Sequence, residues 1–364
     1  MNTCALPVTV AFASDDGYAP YLLVALSSLL HHLPKERACR VVIMDSGISS
    51  YYKDRLNEIV VNTHPLATLE YLSVAQLDTK LDEFFERRGN KGRVTKWSYT
   101  TYYRLFLSDL LPDCHRIFYL DVDILICDDL SKVFDVDMED KSVATVQDVC
   151  LCYNKESEVE RKRLLRCGHD MSRYFNAGIM LINLDKWRQT ADFLQRVEEV
   201  FCQLPDMVYP DQDILNYMFR DDMISLEKKW NFLTPQLDND DLAEEALRYR
   251  NNIVQQKNFG IIHYAGIKPW KDATLCPLAS EWWREARRAG VEGDIIRREA
   301  QLIRHYLTAQ QESGRSSSLW LQKLIIRLKL MIAGSSNRQK LLRRLERLET
   351  KQKKARAGKK QRLK

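Results

Sequence analysis

Short apolar segments, each ending in a polar or acidic residue, recur along the first 270 residues with helix-periodic stretches between them. No other feature of the chain restricts its fold as much. Residues 8–13 read as a strand leaving at Ser14 and Asp15, and residues 18–32 as a helix with one apolar face. Residues 40–47 form a short buried strand with a polar exit at Asp45; helical periodicity over 51–61 and a strand near 69–72 follow. Compact apolar strands alternating with helices predict a largely parallel α/β sheet covered on both faces. Ligands on such sheets bind beyond the carboxyl ends of the strands. Asp15, Asp45 and Asp121 therefore all fall where a site belongs. With 364 residues, 45% of them hydrophobic, the chain can build one large domain with additions or two modest ones.

The segment RIFYLDVDILICDDL, residues 116–130, sets Asp121 and Asp123 one residue apart in an apolar run. Buried carboxylates are costly unless something positive pairs with them. In extended backbone, residues i and i+2 face the same way, so both carboxylates can aim at one point. A divalent cation is the economical partner, and oxygen donors favour Mg²⁺, Mn²⁺ or Ca²⁺. A strand end solvated by water is the plain alternative. An aspartyl-phosphate site is disfavoured because Ile124 and Leu125 stand where its Gly and Thr would follow, and the oxygen ladder of a calcium loop is missing. Asp128 and Asp129 read as surface residues.

Six segments then follow one order: FASDDGY (12–18), TYYRL (101–105), FYLDVDILI (118–126), FNAGIMLINLDKW (175–187), DQDILN (211–216) and HYAGIKPW (263–270). On these motifs the chain resembles the family 8 glycosyltransferases, retaining enzymes that include bacterial lipopolysaccharide galactosyl- and glucosyltransferases. The resemblance spans residues 7–271. It implies an α/β, GT-A nucleotide-diphospho-sugar transferase fold, with a Rossmann-like, mixed but mainly parallel sheet and a helical, basic C-terminal extension. The implied boundaries are a catalytic domain over 1–275, a helical extension over 276–314 and a basic amphipathic tail over 315–364.

The resemblance also assigns roles. Asp121, Asp123 and His263 would hold Mn²⁺, with Mg²⁺ as the alternative; an imidazole donor tilts the choice toward Mn²⁺. Donor binding falls to Ala13, Asp15, Tyr18, Thr101, Arg104, Asp121, Val122, Asp123, Asn176, Ala177, Gly266 and Lys268. Asp15 would accept from the uracil N–H, Tyr18 would stack on the base, and Lys268 would face the diphosphate. This chain has only Ile267 between Gly266 and Lys268, where many members have two residues. Plainer readings make Asp15 and Asp16 a helix N-cap, Asp16 above all, Arg104 a surface charge on an amphipathic helix over 101–113, and Asn176 with Gly178 a polar turn. The catalytic set is Gln212, Asp211 and Asp148. An amide is a poor nucleophile, so front-face attack with retention is preferred to a covalent adduct on Asp211 or Gln212.

Charge separates two regions. Residues 315–364 hold 17 Lys and Arg against 2 Glu, so within an overall +5 the preceding 314 residues carry −10. Residues 318–332 would place Leu321, Leu324, Ile325, Leu328 and Ile332 on one helical face, suited to the plane of an anionic membrane surface. A solvated helix and a nonspecific nucleic-acid contact are the alternatives for this tail, and the acidic body argues against nucleic acid. No Lys or Arg precedes Lys35, so a secretory leader is not expected. The nine cysteines, without CxxC pairs, read as unpaired thiols. The expectation is a UDP-galactose- or UDP-glucose-dependent hexosyltransferase acting on a lipid-linked oligosaccharide from the cytoplasmic face of a bacterial inner membrane. The rival is a membrane-surface binding protein that keeps the fold without turnover.

Overall fold

The computed structural model describes residues 6–86, 99–153, 158–190, 193–204, 207–239 and 242–312. The chain divides into two compact units, Met1–Ala265 and one that begins at Gly266. The basic segment 315–364, with its expected amphipathic face, lies outside the described residues. No described helix is long and apolar enough to cross a membrane.

Among the described residues, ten strands form two sheets: β1 Val8–Asp15, β2 Cys39–Ser46, β3 Ala67–Ser73, β4 Arg116–Leu120, β5 Ile124–Ile126, β6 Val143–Gln147, β7 Phe175–Asn183, β8 Met223–Ser225, β9 Phe232–Leu233 and β10 Ile261–His263. The larger sheet runs β3-β2-β1-β4-β7-β6-β8 and the smaller β5-β10-β9. In the larger sheet every neighbouring pair is parallel except those of β7, which opposes both β4 and β6. The α/β class and the mainly parallel sheet agree with the alternation in the sequence. VTVAFAS in β1 is buried at seven consecutive positions, as a strand covered on both faces must be. The helix Ala19–His32 is likewise buried over its first twelve residues, and Pro20 in its first turn costs no hydrogen bond.

Two local expectations are corrected. Residues 101–113 do not form one amphipathic helix. They fold as two 3₁₀ turns, Tyr99–Thr101 and Tyr103–Phe106, and a single α-turn, Leu107–Leu110. Tyr102 through Ser108 are all buried, so neighbours surround every side of the segment and no one-sided stripe exists to favour a regular helix. Asn176 and Gly178 do not make a turn either. Both lie inside strand β7, where its pairing with β6 shifts register between Met180 and Phe175.

The two sheets meet at LDVD. Strand β4 ends at Leu120, and the Asp121 N–H extends its ladder by one bond to the Gly178 carbonyl at 2.8 Å. The chain then bends and re-enters the smaller sheet as β5, where Ile124 pairs with His263 of β10. The Tyr264 N–H closes that ladder on the Asp123 carbonyl at 2.9 Å. Backbone hydrogen bonds on either side of the bend therefore fix the positions of Asp121, Asp123 and His263 relative to one another.

In the second unit, the buried rings of Trp270 and Trp282 pack at a tilt with centroids 5.1 Å apart, and the Trp283 indole donates to the Pro269 carbonyl. The tryptophan of GIKPW is thus a packing residue of that unit.

Candidate functional site

At the seam, the carboxylates of Asp121 and Asp123 and the imidazole of His263 each offer a ligand atom, all within 4.8 Å of one another. Among the described residues this is the group of acidic, His and Cys side chains able to share a metal ion. His263 Nε2 lies 3.3 Å from Asp123 Oδ1 and 3.9 Å from Asp121 Oδ2. Convergence comes from the bend between sheets rather than from an unbroken strand, and Val122 between them is buried. Gly178 leaves the cradle open: a Cβ there would sit 2.4 Å from Asp121 Oδ2 and 2.6 Å from His263 Cε1. Two carboxylates and one imidazole suit a divalent ion, and donors across such an ion stand about 4 Å apart. The residues fit the group.

Arg104 backs this corner. It is 5% exposed, so the surface reading is corrected. Its Nη2 donates to Asp121 Oδ1 at 2.9 Å, Nη1 to the Ala177 carbonyl at 2.5 Å and Nε to the Thr101 carbonyl at 2.9 Å. Asp211 Oδ2 lies 3.4 Å from Nε, and the guanidinium covers the Tyr119 ring at 4.3 Å. Burial acts to lower the Arg104 pKa, but Asp121, Tyr119 and Asp211 more than offset it, so the group stays cationic. Burial pushes the Asp211 carboxyl up to about 6 even against the pull of Arg104.

Beyond Arg104 the site is lined by amides. Helix Pro210–Phe219 presents Gln212 from its first turn. Gln212 Oε1 accepts from the Ala177 N–H at 3.0 Å and from Asn176 Nδ2 at 3.1 Å, while Nε2 donates to Asp148 Oδ2 and the Tyr174 hydroxyl, both at 3.3 Å. Asp148 leaves the end of β6, caps the following turn through the Leu151 N–H, and accepts from Asn176 as well. Burial raises its carboxyl pKa. Asp213 is fully buried and holds the helix from behind. It accepts from Tyr174 (2.6 Å), Arg163 (2.9 Å) and the backbone of Val208 and Tyr209. Asn216 clamps the start of β7 through both backbone groups of Phe175.

The predicted residues thus separate. Thr101, Arg104, Asp121, Asp123, Asp148, Asn176, Ala177, Asp211, Gln212 and His263 form one cluster. Ala13 and Asp15 lie on β1, whose exit runs beside that of β4 because the two strands pair in parallel at Ala11 and Tyr119. Asp15 Oδ1 accepts from the Tyr18 N–H at the helix entrance, and the Tyr18 ring is 44% exposed there. Asp16 does not cap that helix; its carboxylate accepts from the Ser49 N–H, because Asp15 already faces the helix entrance. Asp45 is taken up by the turn N–H groups of Gly47 and Ile48 and by Lys53. Asp128 and Asp129 are half-buried turn anchors bonded to Lys132 and Ser131, not free surface residues. Gly266 and Lys268 belong to the second unit. Cys150 and Cys152 are free thiols that burial keeps protonated. Sequence reasoning missed Tyr119, Tyr174, Asp213 and Asn231. Asp213 was legible as the second acid of DQDILN; the others sit among core residues with no local signal.

Comparison with known proteins agrees with this geometry. The model of glycosyl transferase family 8 matches residues 9–274, well over half of the chain. General stress protein A of Bacillus subtilis is 29% identical over 280 residues, 75% of this chain and 91% of that one. A lipopolysaccharide 1,2-glucosyltransferase of Escherichia coli is 26% identical, over 72% of this chain and 73% of its own. Among solved structures, the galactosyltransferase LgtC in complex with donor and acceptor sugar analogues superposes with a TM-score of 0.61 at 27% identity, over 77% of this chain and 96% of that one. The sheet order, the ordered motifs and the family match together make this chain a GT-A-fold glycosyltransferase that belongs to glycosyl transferase family 8.

Proposed function

We propose that the chain is a metal-dependent, retaining α-glycosyltransferase that moves galactose or glucose from UDP to a hydroxyl of a lipopolysaccharide or lipooligosaccharide core. The observation that carries this reading is the gathering of Asp121, Asp123 and His263 next to the amide-lined cluster of Asp148, Asn176 and Gln212. A divalent ion held by the first three would offset the charge that builds on the departing UDP. Ala13, Asp15 and Tyr18 at the exit of β1 would receive the uridine, and the buried guanidinium of Arg104 and the amides of Asn176 and Gln212 the sugar hydroxyls. The roles of Gly266 and Lys268 at the diphosphate rest on the sequence resemblance.

Gln212 is already committed through both ends of its amide, and Asp148 accepts three hydrogen bonds. Groups so held serve to orient a sugar rather than to attack it. Retention would then follow front-face attack, in which the acceptor oxygen bonds to the anomeric carbon as the bond to UDP breaks and its proton passes to the departing phosphate. A 2-fluoro donor that leaves a covalent sugar on Asp211 or Gln212 by intact-mass analysis would overturn that step. Turnover of a panel of UDP-sugars with Mn²⁺, with and without truncated lipooligosaccharide, tests the activity and separates galactose from glucose. A basic tail docked on the cytoplasmic face of the inner membrane would bring the enzyme to a lipid-linked acceptor. A chain ending near residue 313 should then lose flotation with anionic liposomes, and equal flotation would count against the idea.

A further inference from the structure

Asn231 lies in none of the six motifs. It ends the 3₁₀ turn Lys228–Asn231, directly before β9, and is buried. Trp230 locks the turn by packing on Gly260, where a Cβ would come within 2.6 Å of the indole. The Asn231 side chain bridges two parts of the site. Its Nδ2 donates to Asn176 Oδ1 at 3.0 Å, and its Oδ1 lies 3.0 Å from His263 Nδ1.

One backbone donor orients this bridge from its Asn176 end. The Gly178 N–H donates to Asn176 Oδ1 at 3.1 Å, which fixes the orientation of that amide. An oxygen therefore faces Asn231, which must turn its Nδ2 toward Asn176 and its Oδ1 toward His263. His263 must in turn carry its proton on Nδ1. Nε2 is then the nitrogen that faces Asp121 and Asp123, and it would present its lone pair to an ion held there.

We infer that Asn231 is a positioning residue that holds His263 in the Nδ1–H tautomer and couples the ion-binding corner to the amide end through Asn176. This rests on the reading of Asp121, Asp123 and His263 as a divalent-ion site. Replacing Asn231 by Leu removes both bonds at similar volume. Replacing it by Asp keeps the acceptor for Nδ1–H but removes the donor to Asn176. Partners of ligating imidazoles typically contribute about 10–100-fold to metal affinity.

Mn²⁺ titration calorimetry on the full chain, with ¹⁵N-histidine NMR assigned through His263→Gln, tests the inference. Asn231→Leu should bind Mn²⁺ about 10–100-fold more weakly than wild type. Asn231→Asp should keep its Mn²⁺ affinity but show a raised donor KM. A structural role alone would weaken both variants equally and lower both Tm values. Wild-type His263 should hold a proton on Nδ1, and Asn231→Leu should lose that preference. The inference falls if wild type binds Mn²⁺ and Asn231→Leu binds it equally well, or if His263 carries its proton on Nε2 alone. Absence of Mn²⁺ binding by wild type would instead strike the ion-site reading, and the tautomer measurement would still test Asn231.

Discussion

Four aspartates line this site in two pairs whose surroundings have little in common. Asp121 and Asp123 sit on a bend between two sheets, gathered with the imidazole of His263. Asp148 and Asp211 sit at a strand end and in the first turn of a helix, where amides, backbone N–H groups and Arg104 already hold them. The first pair presents converging charge that a mobile cation can share. The second is held by fixed donors, and burial raises both of its carboxyl pKa values. The same side chain is thus placed to share an ion where the backbone bends and leaves room, and is held to its neighbours where the structure has already supplied its partners.

Arg104 joins the two pairs, so its loss should have the largest effect on stability. Arg104→Met strands Asp211 and part of Asp121 in a buried setting. It should destabilise the fold by about 3–5 kcal/mol, the usual cost of breaking a buried pair, as read by urea denaturation. A change below 1 kcal/mol would mean that water reaches these carboxylates.

The second pair should show its burial as a pH dependence. The folded-state pKa of Asp211 is raised from 3.8 to about 6, so ionising it costs stability that is absent near pH 4 and complete above pH 6. Asp211→Asn should therefore stabilise the chain by up to about 3 kcal/mol at pH 8, at 1.36 kcal/mol per pKa unit, and by little at pH 4. Activity should fall in the same variant. A stability gain independent of pH would contradict the assignment.

The cradle of the first pair should give the smallest effect. Gly178→Ala would push on Asp121 and His263, weakening Mn²⁺ binding about tenfold, or about 1.4 kcal/mol, and lowering stability by about 1 kcal/mol as the held groups shift. An unaltered Mn²⁺ affinity would show that the corner has slack.

Much of this was legible in the residues. Alternating strands and helices predicted the sheet, the two acids of LDVD stood out in an apolar run, and the family resemblance of HYAGIKPW added His263, which the structure brings beside them. Local periodicity misread the segment holding Arg104, since burial on all sides replaced amphipathicity as the organising force. It also misread Gly178, whose task is close approach inside a strand rather than a turn. Asn231 left no trace because an amide beside a tryptophan is unremarkable until folding brings it 3.0 Å from His263. Contacts made across long stretches of sequence set each of these positions, and no window of residues contains them.

The account stands most directly on Mn²⁺ affinity measured in wild type, Asp123→Ala and Asp148→Asn. Wild type should bind the ion, Asp123→Ala should not, and Asp148→Asn should bind within about threefold of wild type while losing turnover. Equal loss of binding in the two variants, or binding retained in Asp123→Ala, would contradict the division of the four aspartates into an ion pair and an orienting pair.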